Sequence, residues 1–459
     1  METPQHVYDR FTDLPEDIIL HIFFSFLHDD YDIVQLSSVC QKFRKICLSC
    51  PNLLFKLAFR NEEPCKANCK KIKRFLRDSV DIDDQDVLFR LCLPWFCHSH
   101  SCCYTSFEFL VWVKRALRNN EVQELDIAVP NHEPFKFPAS YKSLTVLKLN
   151  KLRDRESKLV ALDLPSLEAL SLTSVSVDPG KFGEWVSSNS CKSLKVLNLE
   201  EFNSDNANLN ISSSSLKVLT LASCAGPPED GNLFISCSSL EKLSITNCSF
   251  LDLVLCVMNT HSLKALEISD CVIFDNFDIN INSVEQLQTF TLAMELALSL
   301  KEGSVPSINI PNSHSLRHAF ISLEPFVSWA DSLRNYPIFT CNGLIKLING
   351  VRYAKSLQLN RDIIHALWYH DQWPKLEYLE HLEVIFDAEE DVDVHTYQIA
   401  AFVVGLCSLK TLTLRFDENA TPLSETEVVN QLRSELLKKH GVESNHLNII
   451  CTAIENKDE

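Results

Sequence analysis

From about residue 122 onward, apolar residues recur in one short pattern, L-x-x-L-x-L, separated by more polar stretches of similar length. Clear copies are Leu144/Leu147/Leu149, Leu167/Leu170/Leu172, Leu194/Leu197/Leu199, Leu216/Leu219/Leu221, Leu240/Leu243/Ile245, Leu263/Leu266/Ile268 and Leu287/Phe290/Leu292. Weaker copies are Val122/Leu125/Ile127, Leu316/Ala319/Ile321, Ala354/Leu357/Leu359, Leu379/Leu382/Val384 and Leu409/Leu412/Leu414. The twelve anchors follow one another at 22, 23, 27, 22, 24, 23, 24, 29, 38, 25 and 30 residues. The alternation at the end of each copy is that of a short strand with one face buried. One copy cannot bury its own apolar positions, so the copies must stack, strand beside parallel strand, with positions 1, 4 and 6 inward. The 38-residue gap from Leu316 to Ala354 is either an insertion or a degenerate copy.

Most of these spacings lie within the 20–29 residues of a leucine-rich repeat. Asn or Cys is expected at the ninth position of such a repeat, and Cys224, Cys248 and Cys271 occupy it in three consecutive copies. The fold class that follows is α/β, a leucine-rich-repeat solenoid over residues 119–422. Residues flanking the inward leucines face outward on the concave side, where a partner would bind. In the centre these are Asn198, Glu200, Thr220, Ser244, Thr246, Glu267 and Ser269, followed by Phe320, Gln358, Asn360, Glu383 and Arg415. Binding energy concentrates in aromatic and Arg side chains, which singles out Phe320 and Arg415. Glu200, Glu267 and Glu383 favour a target with a basic segment.

The pattern changes before the repeats. Asp13, Pro15 and Glu16 can start a helix, and Ile18, Ile19, Ile22, Phe23 and Phe26 continue it at helical spacing. A second helix near Asp32 would carry Ile33, Leu36, Val39, Cys40 and Phe43, and Pro51 can open a third with Leu53, Leu54 and Leu57. Three short helices in so few residues need cover from the rest of the chain or from another protein. Residues 56–118 read as a linker leading into the repeats. At the other end, Ser424 to Glu427 is a capping box before Val428, Val429, Leu432, Leu436 and Leu437. This helix and the apolar tail Leu447 to Ile454 are expected to cap the solenoid over 423–459.

Composition removes several classes of chemistry. Only 9 of the 459 residues are Gly, and there is no G-x-G-x-x-G, G-x-S-x-G or H-E-x-x-H. Gly226 to Gly231 has P-loop spacing, but Asn232 stands where a Lys must reach the phosphates. No catalytic constellation or cofactor motif remains, so the chain is read as a non-enzyme without cofactors. The formal charge of −18 argues against nucleic-acid binding. The basic run Lys66 to Arg77 is read as a solvated helix face beside acidic Asp78 to Asp86. The 18 cysteines, without a secretory signal in polar Met1 to Arg10, are read as reduced thiols of a cytoplasmic or nuclear protein. No run of apolar residues is long enough to span a membrane. Cys92, Cys97, His98, His100, Cys102 and Cys103, even with Cys65 and Cys69, lack the paired knuckles of zinc modules.

Leu14-Pro15-Glu16-Asp17-Ile18-Ile19, followed by Leu36-Ser-Ser-Val39-Cys40-Gln-Lys-Phe43-Arg44, resembles an F-box over residues 8–55. Phe43 stands where Trp is commoner and Gln41 where a basic residue is usual. Together with the repeats, the chain resembles the F-box/LRR proteins that are especially numerous in plants. Phe107 to Ile127 is similar to their usual lead into the first repeat. The resemblance implies a substrate-recognition subunit of an SCF-type ubiquitin ligase. Its F-box would dock on a Skp-type adaptor, and through it on a cullin–RING ligase, while the repeats hold an unidentified target protein. It assigns adaptor binding to Leu14, Pro15, Ile18, Ile19, Ile22, Phe23, Leu36, Val39, Cys40 and Phe43. The alternative is a repeat scaffold that acts outside any ubiquitin ligase.

Overall fold

The structure is a computed structural model. It describes residues 14–15, 18–19, 21, 42–43, 54–56, 90–93, 123–128, 141–150, 159–202, 208–224, 232–282, 284–296, 307–310, 313–325, 341–369, 373–386, 392–416, 425–440 and 447–453. The architecture is α/β, built mainly on parallel strands with few helices, and the chain divides into two compact units.

The first unit spans Met1–Val177 with Ser188–Leu194. Its strands are β1 (Leu54–Lys56), β2 (Arg90–Leu93), β3 (Glu124–Ala128), β4 (Val146–Asn150) and β5 (Ala169–Thr173). Each pairs in parallel with the next, so that Phe55, Leu91, Leu125, Leu147 and Leu170 occupy one register column. Leu125, Leu147 and Leu170 are buried. Two sequence expectations change here. Leu54 lies on a strand rather than on a third helix, and the supposed linker contributes β2.

The second unit spans Asp178–Ser187 with Lys195–Glu459 and carries two parallel ladders. The first begins with β6 (Val196–Glu200), β8 (Val218–Ala222) and β10 (Lys242–Thr246). The opening part of the long β12 (Ala265–Ile281), β13 (Thr289–Leu296) and β15 (His318–Pro325) follow. β16 (Ser356–Asn360), β17 (His381–Phe386), β18 (Thr411–Phe416) and β19 (Asn448–Ala453) complete it. The column Leu197, Leu219, Leu243, Leu266, Phe290, Ala319, Leu357, Leu382, Leu412 and Ile449 runs through it without a slip. All of these are buried. Because side chains alternate between faces along a strand, this register leaves the intervening positions outward. β15 pairs directly with β16, so the 38-residue gap adds no ladder strand.

The second ladder consists of β7 (Leu209–Ser212), β9 (Asn232–Ser236), β11 (Ser249–Met258), the closing part of β12 and β14 (Ser307–Asn309). After β14, helices occupy the return segments: α2 (Cys341–Gly350), α3 (Arg361–Tyr369), α4 (Val392–Val404) and α5 (Glu425–His440). One further helix, α1 (Pro179–Ser187), lies against β7 and is capped by Asp178, whose carboxylate accepts from the Lys181 N–H at 3.0 Å. The C-terminal tail is a ladder strand in register with β18, Leu412 facing Ile449. No described helix is long and apolar enough to cross a membrane.

A left-handed residue ends many strands: Ser174, Glu201, Ser223, Asn247 and Asp270 have φ between 49° and 54°. In L residues this conformation is costly, and neighbouring strands hold it by hydrogen bonding. The N–H groups of Glu201, Ser223 and Asn247 donate to Ala222, Thr246 and Ser269 carbonyls of the next strand, each at 2.9 Å. The turn aims the following residue inward, and in three consecutive copies that residue is Cys224, Cys248 or Cys271. Each thiol reaches a carbonyl of the preceding strand: Leu199 at 3.6 Å, Leu221 at 3.7 Å and Ile245 at 3.6 Å. All three are buried and free of disulfides. The bond with Cys248 and burial push the Cys224 thiol above its ordinary range. At Cys248 the bond with Cys224 pulls downward, but the contact with Cys271 and burial outweigh it and the thiol rises to about 12. Cys271 is held lower by its bond with Cys248, yet it is fully enclosed. Native alkylation read by mass spectrometry is expected to modify Cys407, exposed among the described cysteines, and leave the three buried thiols unlabelled until the protein unfolds. Rapid modification of all three would mean that the repeat phase is misassigned.

Candidate functional site

Two surfaces bear on function, one near the N-terminus and one on the first ladder of the second unit. Near the N-terminus, Pro15 opens a helical turn: its carbonyl accepts from the Ile18 and Ile19 N–H groups at 3.1 and 3.2 Å. Lys42 Nζ donates to the Leu14 carbonyl at 2.6 Å, which brings together two pieces of sequence 28 residues apart. Pro15 is exposed, Leu14 is half-buried and Ile18 is 47% exposed. Ile19, at 0% exposure, and Phe43 are covered by the chain itself, so in this structure they belong to internal packing rather than to an open docking surface. Ile22, Phe23, Leu36, Val39 and Cys40 lie outside the described residues.

On the ladder, the outward column between the buried ones runs Asn198, Thr220, Ser244, Glu267, Thr291, Phe320, Gln358, Glu383 and Thr413 in unbroken register. The sequence-derived target residues thus share one sheet face, with Thr246 and Ser269 paired in the next column. Phe320 sits half-buried between Thr291 and Gln358. Two candidates are corrected. Asn360 is 3% exposed and its Nδ2 donates to the Leu323 carbonyl at 3.1 Å, which makes it part of the frame of β15. Ser244 is buried, its hydroxyl donating to Glu267 at 2.9 Å.

The expected acidic character of this face is also reduced. Arg415 Nη1 lies 3.0 Å from Glu383, and Lys242 lies 3.6 Å from Glu267. Arg415 and Glu383 are therefore engaged with each other, whereas Glu200 stays exposed at the near end.

A third row carries a signal that the repeat pattern alone did not single out. At the leading edge of the ladder, where the strands begin, the second repeat position is occupied by Lys195, Lys217, Glu241, Lys264, Gln288, Arg317, Lys355, Glu380 and Lys410. Six cations face two carboxylates on a chain whose overall charge is −18. Each carboxylate is bracketed by two lysines: Glu241 by Lys264 at 2.6 Å and Lys217 at 3.3 Å, Glu380 by Lys410 and by Lys355 at 3.5 Å. These lysines, Lys264 and Lys410 foremost, hold both carboxyls below the ordinary range. The charges lie in plain view in the sequence, and the common spacing from each leading Leu or Ala aligns them.

The Cys/His group at 92–103 is represented only by the backbone of Cys92 on β2, and the basic run Lys66 to Arg77 lies outside the described residues. Among the described residues, no group of three or more His, Cys, Asp or Glu is placed to hold a metal. A family model for F-box-like domains matches residues 11–60. Comparison with curated proteins finds no match.

Proposed function

We propose that this chain is the substrate-recognition subunit of an SCF-type ubiquitin ligase. The F-box-like domain at residues 11–60 carries the reading. It docks on a Skp-type adaptor, and through that adaptor the chain joins a cullin–RING assembly. The parallel ladders act as a leucine-rich-repeat array that holds a target protein near the charged ubiquitin-conjugating enzyme. Support comes from twelve anchors, most of them 22–29 residues apart, and from buried columns that stay in register across the first ladder of the second unit. The chain itself does no chemistry and needs no cofactor. Its contribution is effective concentration and orientation of the target.

Exposed Ile18 and Pro15, with half-buried Leu14, form the described part of the adaptor surface. The double change Leu14→Ala, Pro15→Ala is expected to abolish co-purification of a Skp-type adaptor and of the cullin. It should leave the thermal transition of the ladders in place, because Pro15 is exposed and Leu14 only half-buried. Undiminished capture of the adaptor by the variant would sink the docking assignment. Failure of the native chain to capture either partner would leave a repeat scaffold outside the ligase.

A further inference from the structure

The leading edge of β15, β16 and β17 carries an aromatic stack inside the cationic row. The rings of His314 and Tyr353 lie 4.0 Å apart, and those of Tyr353 and Tyr378 lie 5.3 Å apart. The Arg352 guanidinium covers the Tyr353 ring at 4.8 Å and donates to its hydroxyl at 3.0 Å. Tyr353 is thus clamped, while Tyr378 at the end of the stack is 54% exposed. A large aromatic surface left in water on a rigid support is the composition of a binding anchor, since fixing it on association costs little entropy. Interior packing does not require it, because the buried anchors beside it are Leu316, Ala354 and Leu379.

Among the described residues, the charge around the stack has one sign in excess. Arg317, Arg352, Lys355 and Lys410 stand against Glu377 and Glu380, and Glu380 is already matched by Lys355 and Lys410. Arg317, Lys355 and Lys410 are all exposed. Arg317, Lys355, Glu380 and Lys410 begin consecutive paired strands, so they span about 14 Å at the spacing of a sheet, the reach of about four extended residues. The backbone here is already satisfied. The N–H groups of Lys355, Glu380 and Lys410 donate to the Arg317, Lys355 and Glu380 carbonyls at 3.0, 2.9 and 2.8 Å. An added strand would find no free ladder, so side chains must do the recognising.

We propose that this leading edge is a docking surface for an acidic, extended segment of another protein, with an apolar side chain of that segment seated on Tyr378 and its carboxylates on Arg317, Lys355 and Lys410. The surface lies outside the F-box-like segment, and the inference does not rest on the ligase reading. It reverses the charge preference suggested by Glu200, Glu267 and Glu383, two of which are neutralised by their own neighbours.

The experiment is fluorescence anisotropy on the full chain with a short labelled peptide of Glu and Asp residues around a central Phe. Saturable binding that weakens as salt is raised is expected. A peptide with Lys in place of every acidic residue should not bind. The double variant Arg317→Glu, Lys355→Glu should lose affinity by about ten-fold or more, and Tyr378→Ala, which keeps every charge, by roughly five- to thirty-fold. Lys181→Glu on α1 should change nothing. All these side chains are exposed, so thermal transitions of the variants should match that of the native chain. The proposal is overturned by no saturable binding, by equal affinity for the basic peptide, by variants that bind as the native chain does, or by equal binding of a single-stranded oligonucleotide.

Discussion

Replacing Gly183 by Ala is expected to destabilise the second unit by about 3 kcal/mol, at the upper end of the cost of overpacking. On an exposed helix the same change would stabilise by up to about 1 kcal/mol, because Ala is the better helix former. The sign is reversed by what the helix touches. α1 lies on β7 so closely that a Cβ on Gly183 would fall 2.0 Å from the Asn210 carbonyl oxygen and 3.0 Å from its carbon. Those atoms are backbone and cannot rotate away. β7 is pinned by pairing with β9, by burial of Leu209 and Ile211, and by Ser187. The Ser187 hydroxyl donates to the Gly183 carbonyl at 2.6 Å and accepts from the Ser212 N–H at 2.9 Å. Gly180, three residues earlier in α1, is the control: its Cβ would meet only the Asp178 carboxylate at 3.4 Å. Gly180→Ala should therefore leave stability unchanged or raise it slightly. Chemical denaturation of the two variants beside the native chain decides the matter, and equal midpoints would mean that α1 does not rest on β7.

The anchors of the first ladder were legible in the sequence because their cause is local. Apolar residues at fixed spacing, buried on one face, leave a two-residue alternation that survives substitution of Leu by Ile, Val, Phe or Ala. The second ladder left the same kind of trace in Leu209/Ile211, Leu233/Ile235, Leu253/Leu255/Val257 and Ile279/Ile281, all buried. Its segments vary more in length and lie at changing distances from the anchors, so no single period exposes them. β2 shows a different loss. Leu88, Leu91 and Leu93 have the anchor form, but Leu88 stands 34 residues before Val122, outside the common spacing, beside a Cys/His-rich stretch. At Leu54, Pro51 suits a helix start, but pairing with β2 makes the segment a strand, a tertiary override of local propensity.

The outward face was legible as a set of positions and not as a chemistry. Register places Asn198 through Glu383 in one column, as the spacing implied, but only the structure joins Arg415 to Glu383 and Lys242 to Glu267. These ion pairs bridge strands whose residues are 32 and 25 apart in sequence. Asn360 is the clearest case. Its type and repeat position suit an exposed contact, yet β15 continues four residues beyond its pairing with β16, and the amide turns inward to serve the Leu323 carbonyl. A polar group buried in this way is retained because it satisfies backbone that would otherwise go unpaired.

Phe290→Ala is expected to cost about 3–5 kcal/mol, the range for deleting a buried aromatic side chain. The more informative result concerns its neighbour. Phe290 and Ala319 face each other in register on β13 and β15, both inward and both buried. The largest anchor of the column thus stands beside the smallest, as volume conservation in a close-packed interior requires. Ala319→Leu alone should overpack that space and cost about 1–3 kcal/mol. In the Phe290→Ala background the same Leu enters the vacated volume, so the double variant should be more stable than Phe290→Ala by roughly 1–2 kcal/mol. A substitution harmful in one background and helpful in the other requires that the two side chains share one space. Denaturation midpoints of the native chain, the two single variants and the double variant close the cycle. If the costs simply add, Phe290 and Ala319 are not neighbours, and the in-register stacking of the anchors between β13 and β15 is wrong.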